Sequence, residues 1–203
     1  MKIVTLLLVF FLFTGCSPKL RQSYSKLSKP EKAWVIFHPF KAKKAYRISN
    51  SIDQITDSIA NTGIIGNDNN SGHLDAFKHS FWMARLTQGI GRRAALSLGK
   101  AHEKGNYKSY KKRQLEDAVL PDKASTEMDL FNNSVGARTG SFYNKRPKND
   151  LILKLLDSLQ KGKLRVLYKD HQGNFLDCQH QKIPLDSLRS QWHTQKCLVP
   201  SNK

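Results

Sequence analysis

Asp75 and His79 stand four positions apart, the spacing that stacks two side chains on one face of a helix. Trp82 and Leu86 continue that stripe, so the pair is expected to be at least partly buried, where polar groups need partners. His102 and Glu103 offer a second imidazole and carboxylate, with His102 in line with Ala95 and Leu98. A third segment carries Asp129 and Asn133, again one turn apart, beside Glu127 and Asn132. Mixed imidazole and carboxylate donors suit a divalent transition metal such as zinc, manganese, iron or nickel. Asp75, His79, His102 and Asp129 are the expected ligands, Glu103 is the expected general base, and Asn133 would orient a ligand or the substrate. A metal held this way polarises a phosphoryl or carbonyl oxygen and acidifies water at neutral pH, which is hydrolytic chemistry.

The same residues also fit a structural network. An Asp and a His one turn apart can simply hydrogen-bond and tie helices together. Thr126 and Asp129 have the spacing of a capping box at a helix start, and Asn132 and Asn133 near Gly136 could serve a helix end. Glu103 reads equally well as helix-end surface. His38, His73, His171, His180 and His193 fall in expected loops or surface segments and are given no role.

The positioning elements are mostly helical. Ile48, Ile52, Ile55 and Ile59 recur at helical spacing, with Gly63 as a stop. Residues 64–73 are rich in Gly and Asn and predict a loop. Further helices are expected over 74–87, closed by Gly89 and Gly91, and over 92–103, 125–136 and 151–159. Segments 164–168 and 175–178 flank a glycine-containing loop and predict a hairpin, and Leu185, Leu188 and Trp192 suit a short helical turn. The expected fold is mainly α, a compact helical domain of about four to six helices with a small C-terminal β-hairpin element. The expected organisation is a leader over 1–15, a tether over 16–30, a helical core over 31–145 and a C-terminal helix-plus-hairpin extension over 146–203.

Three ordered segments carry a resemblance: Asp75-Ala-Phe-Lys-His-Ser-Phe-Trp82, Ala101-His-Glu103 and Met128-Asp-Leu-Phe-Asn-Asn-Ser-Val-Gly136. With them the chain resembles an uncharacterised family of bacterial secreted and envelope domains over residues 34–140. Lys78 stands where that pattern more often has Arg, and Met83 where Asn is common. The resemblance implies a helical domain built around these motifs and implies no activity. The order His79, His102-Glu103, Asp129 is also similar to the His, His-Asp, Asp order of the helical HD-type metal phosphohydrolases, with Glu in place of the central Asp and a short first interval. That likeness is an analogy of residue order alone.

The N-terminus predicts where the protein works. Lys2, an apolar run over 3–13 and then Thr14, Gly15 and Cys16 read as a bacterial lipoprotein leader, with Cys16 the lipidated residue. Phe13 occupies the position where Leu is commonest. The run is shorter than the roughly 20 apolar residues of a membrane-spanning helix. A lipid anchor on the cell envelope, facing outward into the periplasm or at the cell surface, is therefore expected. The net charge of +18 favours anionic partners such as an envelope polymer or lipid headgroups. Nucleic acid is a weaker alternative, resting on charge and on Tyr107, Lys108, Tyr110, Lys111, Lys112 and Arg113, with no groove-reading motif beside them. Cys178 and Cys197 lack metal-ligand neighbours, and an extracytoplasmic address permits them to pair. The rival to a metal-dependent hydrolase acting on a phosphoester or envelope polymer is a non-enzymatic envelope protein that binds an anionic polymer or protein partner, its polar motifs structural.

Overall fold

The computed structural model describes residues 18–115 and 120–203. Cys16 and the leading apolar run lie outside the described residues. Among the described residues eight helices and one two-stranded sheet appear in the order α1 (Pro18–Lys26), α2 (Lys29–Phe37), α3 (Pro39–Ala60), α4 (His73–Ile90), α5 (Arg92–Lys111), α6 (Lys123–Phe142), α7 (Lys148–Gln160), β1 (Arg165–Leu167), α8 (Leu185–Leu188) and β2 (Leu198–Pro200). None of these helices is long and apolar enough to cross a membrane.

Local chemistry sets the helix starts. Ser28 accepts a hydrogen bond from the Glu31 amide while the Glu31 carboxylate accepts one from the Ser28 amide, a reciprocal cap for α2. Pro39 opens α3, where a missing N–H costs nothing and the fixed φ already suits a helix. Gly91 separates α4 from α5 at φ 87°, a conformation that L side chains rarely adopt, so the chain turns sharply between two long helices.

Helix α4 runs through the middle of the molecule. Phe77, Phe81, Met83, Ala84 and Leu86 are fully buried on it, and α3, α5, α6 and α7 pack around it. One side meets Ile52 of α3 with Leu151 and Leu155 of α7; another meets Trp34, Ala95, Leu98 and Ala137. The closest approach is to α6. A Cβ on Gly136 would overlap the Ser80 carbonyl, and one on Gly140 would overlap that of Ala84. Two glycines one turn apart thus let α6 lie directly on the α4 backbone.

The C-terminal extension packs on this core. Leu159, Leu164 and Val166 join Ala76 in one buried cluster. Asn132 of α6 donates its amide to the Arg165 carbonyl and accepts from the Arg165 N–H, each at 2.9 Å, which stitches α6 to β1. The Cys178–Cys197 disulfide is formed.

Several expectations are corrected. The expected tether contains helix α1, whose Ser23 hydroxyl donates to Tyr46 of α3 at 3.1 Å. β1 pairs antiparallel with β2, Val166 opposite Val199, while the expected hairpin is confined to its tip, where Lys169 and Phe175 form an antiparallel bridge and the Leu176 amide donates to the Tyr168 carbonyl at 2.9 Å. The loop between them does turn at Gly173, where Asp170 accepts from the amides of Gln172 and Asn174. Helix α5 continues past Glu103, and α6 past Gly136. The cap of α6 is Asp122, which accepts from the Ser125 amide at 2.8 Å; Thr126 and Asp129 lie inside the helix.

Candidate metal centre

Because α6 begins at Lys123, Asp129 falls in its second turn and faces α4. The Nε2 atom of His79 lies 3.4 Å from Oδ1 of Asp75 and 3.5 Å from Oδ1 of Asp129. Ligand atoms of Asp75, His79 and Asp129 all fall within 4.8 Å of one another. The Ser71 amide donates to the other Asp75 oxygen at 2.8 Å, fixing that carboxylate at the start of α4.

Burial pushes the His79 imidazole down to about 3, with the charges of His102 and Lys78 acting in the same direction. At neutral pH the ring is therefore uncharged, the form that ligates metals. Asn133 works the other way, although neither its amide atoms nor His79 Nδ1 makes a hydrogen bond of good geometry. A buried carboxylate and a partly buried one converging on a neutral imidazole fit a divalent cation. Donors about 2.1 Å from a tetrahedral ion lie about 3.4 Å from each other, close to both separations from His79. Those separations are longer than the about 2.7–3.2 Å of an ordinary N–H···O bond.

His102 stands outside that three-residue group. Its ring centroid is 6.4 Å from that of His79 and 5.6 Å from that of Trp82. Its Nδ1–H donates to the Glu31 carboxylate at 3.1 Å, which fixes the orientation of the ring. Burial opposes ionisation of Glu31, but the His102 ring and the Ser28 donors outweigh it and hold the carboxyl below its ordinary value of 4.5. Glu31 is the site residue that the sequence reading missed. The only signal for it was the capping spacing of Ser28 and Glu31, since Glu31 and His102 lie 71 positions apart.

Asp75, His79, His102, Asp129 and Glu31 line one side of a cavity of about 1120 Å³. Trp34, Trp82, Tyr24 and Tyr46 supply much of its remaining wall, and α1 closes one flank through Leu20 and Tyr24. Trp82 is fixed there by donating to the Ser49 hydroxyl at 2.8 Å. Lys78 and Lys196 bring positive charge to the lining, each alongside an acid: Lys78 lies 3.1 Å from Asp53 and Lys196 lies 2.6 Å from Asp122. Glu103 is buried, accepts from the Asn106 amide at 3.3 Å, and is not among the described residues that line the cavity. Asn133 is likewise buried behind His79, where Gly99 of α5 leaves room for it.

A family model described as Domain of unknown function (DUF6973) matches residues 32–163. The chain belongs to the DUF6973 family. The DUF6973 match spans the last two turns of α2 and the whole of α3 to α7, and so takes in Asp75, His79, His102 and Asp129, while Glu31 sits one residue ahead of it. The disulfide lies beyond it. No curated protein and no solved structure matches the chain.

Proposed function

We propose that this DUF6973 protein is a lipid-anchored protein of the bacterial envelope whose helical domain is a metal-dependent hydrolase acting on an anionic substrate, a phosphoester or an envelope polymer. The observation that carries the catalytic part is the convergence of one neutral imidazole and two carboxylates within 4.8 Å on the wall of a large cavity. The anchoring part rests on Lys2, the apolar run over 3–13 and Cys16.

In this reading Asp75, His79 and Asp129 hold the ion, and three protein donors leave a position open for water or substrate. A bound divalent ion supplies polarisation of a phosphoryl or carbonyl oxygen and lowers the pKa of water. His102 is better suited to proton handling than to ligation. Glu31 fixes its tautomer and orientation, so a proton can be held or passed at Nε2. Lys78 and Lys196 favour an anionic substrate, and Trp34, Trp82 and Tyr46 exclude water from its apolar part.

The test is hydrolysis of p-nitrophenyl phosphate, bis-p-nitrophenyl phosphate and purified envelope polymers by the full chain, with zinc, manganese, iron or nickel added. Asp129→Asn and His79→Ala should each lower the rate at least a hundredfold, and His102→Ala should lower it without removing metal. A second reading, non-enzymatic binding of an anionic polymer or protein partner, is favoured by the net charge of +18 and by the His79–Asp129 contact also tying α4 to α6. A metal-loaded chain that hydrolyses none of these substrates, yet binds anionic polymer in a strongly salt-dependent way, would support that reading instead.

A further inference from the structure

We propose that the corner between α2 and α3 docks on the surface of an anionic lipid bilayer. Phe37 ends α2 and Phe40 follows Pro39 at the start of α3, and they are 80% and 97% exposed, with Ile36 next to them at 50%. Burying such side chains in the protein would be favourable, so three large apolar groups side by side in water mark a face that another phase covers. The residues that follow identify the phase. Lys41, Lys43, Lys44 and Arg47 are all exposed on the first turns of α3, and Phe40, Lys44 and Arg47 fall at i, i+4 and i+7 on one face. From residue 32 to residue 52 the sequence contains no Asp or Glu. Apolar tips ringed by long cationic side chains match an interface of acyl chains below anionic headgroups, where Lys and Arg reach sideways to phosphate while aromatics insert. A protein partner would be expected to bring acidic side chains to the same ring, but the leading apolar run, a few residues before α1, places lipid close at hand.

The corner also shares a rim with the cavity, since Ile36, Pro39 and Lys43 line it. Docking there would turn the cavity mouth toward the membrane surface. The proposal stands without the hydrolytic reading, because it uses none of the residues of the candidate metal centre.

The experiment uses the full chain with Cys16→Ser and Lys41→Cys, carrying an environment-sensitive fluorophore on the new thiol; Cys178 and Cys197 are occupied by their disulfide. The protein is bound to vesicles of equal parts phosphatidylglycerol and phosphatidylcholine that contain a shallow nitroxide lipid. Quenching at position 41 is expected to be at least threefold stronger than at the same fluorophore on Leu185→Cys, an exposed site on α8. It should fall to the level of that control in Phe37→Ser/Phe40→Ser and on vesicles of phosphatidylcholine alone. Every variant keeps the leading apolar run, so the readout is contact of the corner with lipid and not attachment as such. Both phenylalanines are exposed, and circular dichroism checks that the double variant stays folded. Quenching at position 41 no stronger than at 185, or unchanged after both phenylalanines are removed, would overturn the proposal. Equal quenching on the two lipid compositions would overturn its requirement for anionic headgroups.

Discussion

Oδ1 of Asp129 and Nε2 of His79 stand 3.5 Å apart across the α4–α6 interface, seven residues before the glycine that lets those helices touch. The distance is set by packing as much as by charge. Met128 and Asn132, flanking Asp129 on α6, are both fully buried, so the carboxylate has little freedom to move away from the imidazole.

Gly136 is the first place to break that relationship. A Cβ there would overlap backbone, which cannot rotate aside as a side chain can. Gly136→Ala should lower stability by about 1–3 kcal/mol, the range for overpacking a close-packed interior. Because relief requires α6 to lift from α4, it should also weaken metal binding. Urea denaturation and a metal titration together check this, and a variant with unchanged stability and unchanged metal affinity would contradict it.

Asp122 serves two ends at once. It caps α6 and pairs with Lys196 at 2.6 Å, both side chains being 6% exposed. Asp122→Ala removes the cap and leaves a buried ammonium without its acid, and truncating one partner of a buried pair typically costs about 3–5 kcal/mol. A similar loss is expected here, measured by thermal or urea unfolding. Replacing both residues, with Asp122→Asn and Lys196→Met, should recover much of it.

How far the sequence discloses this arrangement differs from helix to helix. The isoleucine stripe of α3 and the four-residue step from Asp75 to His79 are local patterns, and both are found in the folded chain. The start of α6 is ambiguous in the sequence, because Thr126 and Asp129 also have capping spacing while the working pair, Asp122 and Ser125, lies four residues earlier. Gly105 and Gly136 resemble helix stops, yet each sits within a helix where another element comes close; a Cβ at Gly105 would meet the Ser28 hydroxyl at 2.5 Å. The partner of β1 could not be found locally, since Val166 pairs with Val199, 33 positions further along the chain. The contact of Glu31 with His102 is hidden for the same reason.

Acid should destabilise the metal-free protein in two stages. The His79 imidazole is held at about 3 in the folded chain against 6.5 when unperturbed. Between those values the unfolded chain binds a proton that the folded chain does not, so stability falls as pH drops below 6.5 and is unaffected above it. Glu31 acts lower. Its folded pKa lies below 4.5, so its contribution is complete above 4.5 and is lost as pH falls through the folded value. Urea denaturation in the presence of a chelator at pH 7.5, 5.5 and 4.5 should show the first stage, and His79→Gln should flatten it. An equal slope in wild type and variant would contradict the burial of a neutral ring.

The most direct test of the account is the metal content of the full chain, purified in mild detergent without chelator. One divalent transition-metal ion per chain is expected, lost in both His79→Ala and Asp129→Asn and retained in His102→Ala and Glu103→Gln. Protein that holds no metal even after incubation with zinc, manganese, iron and nickel, with all four variants folded like the wild type, would show that Asp75, His79 and Asp129 meet only to join helices.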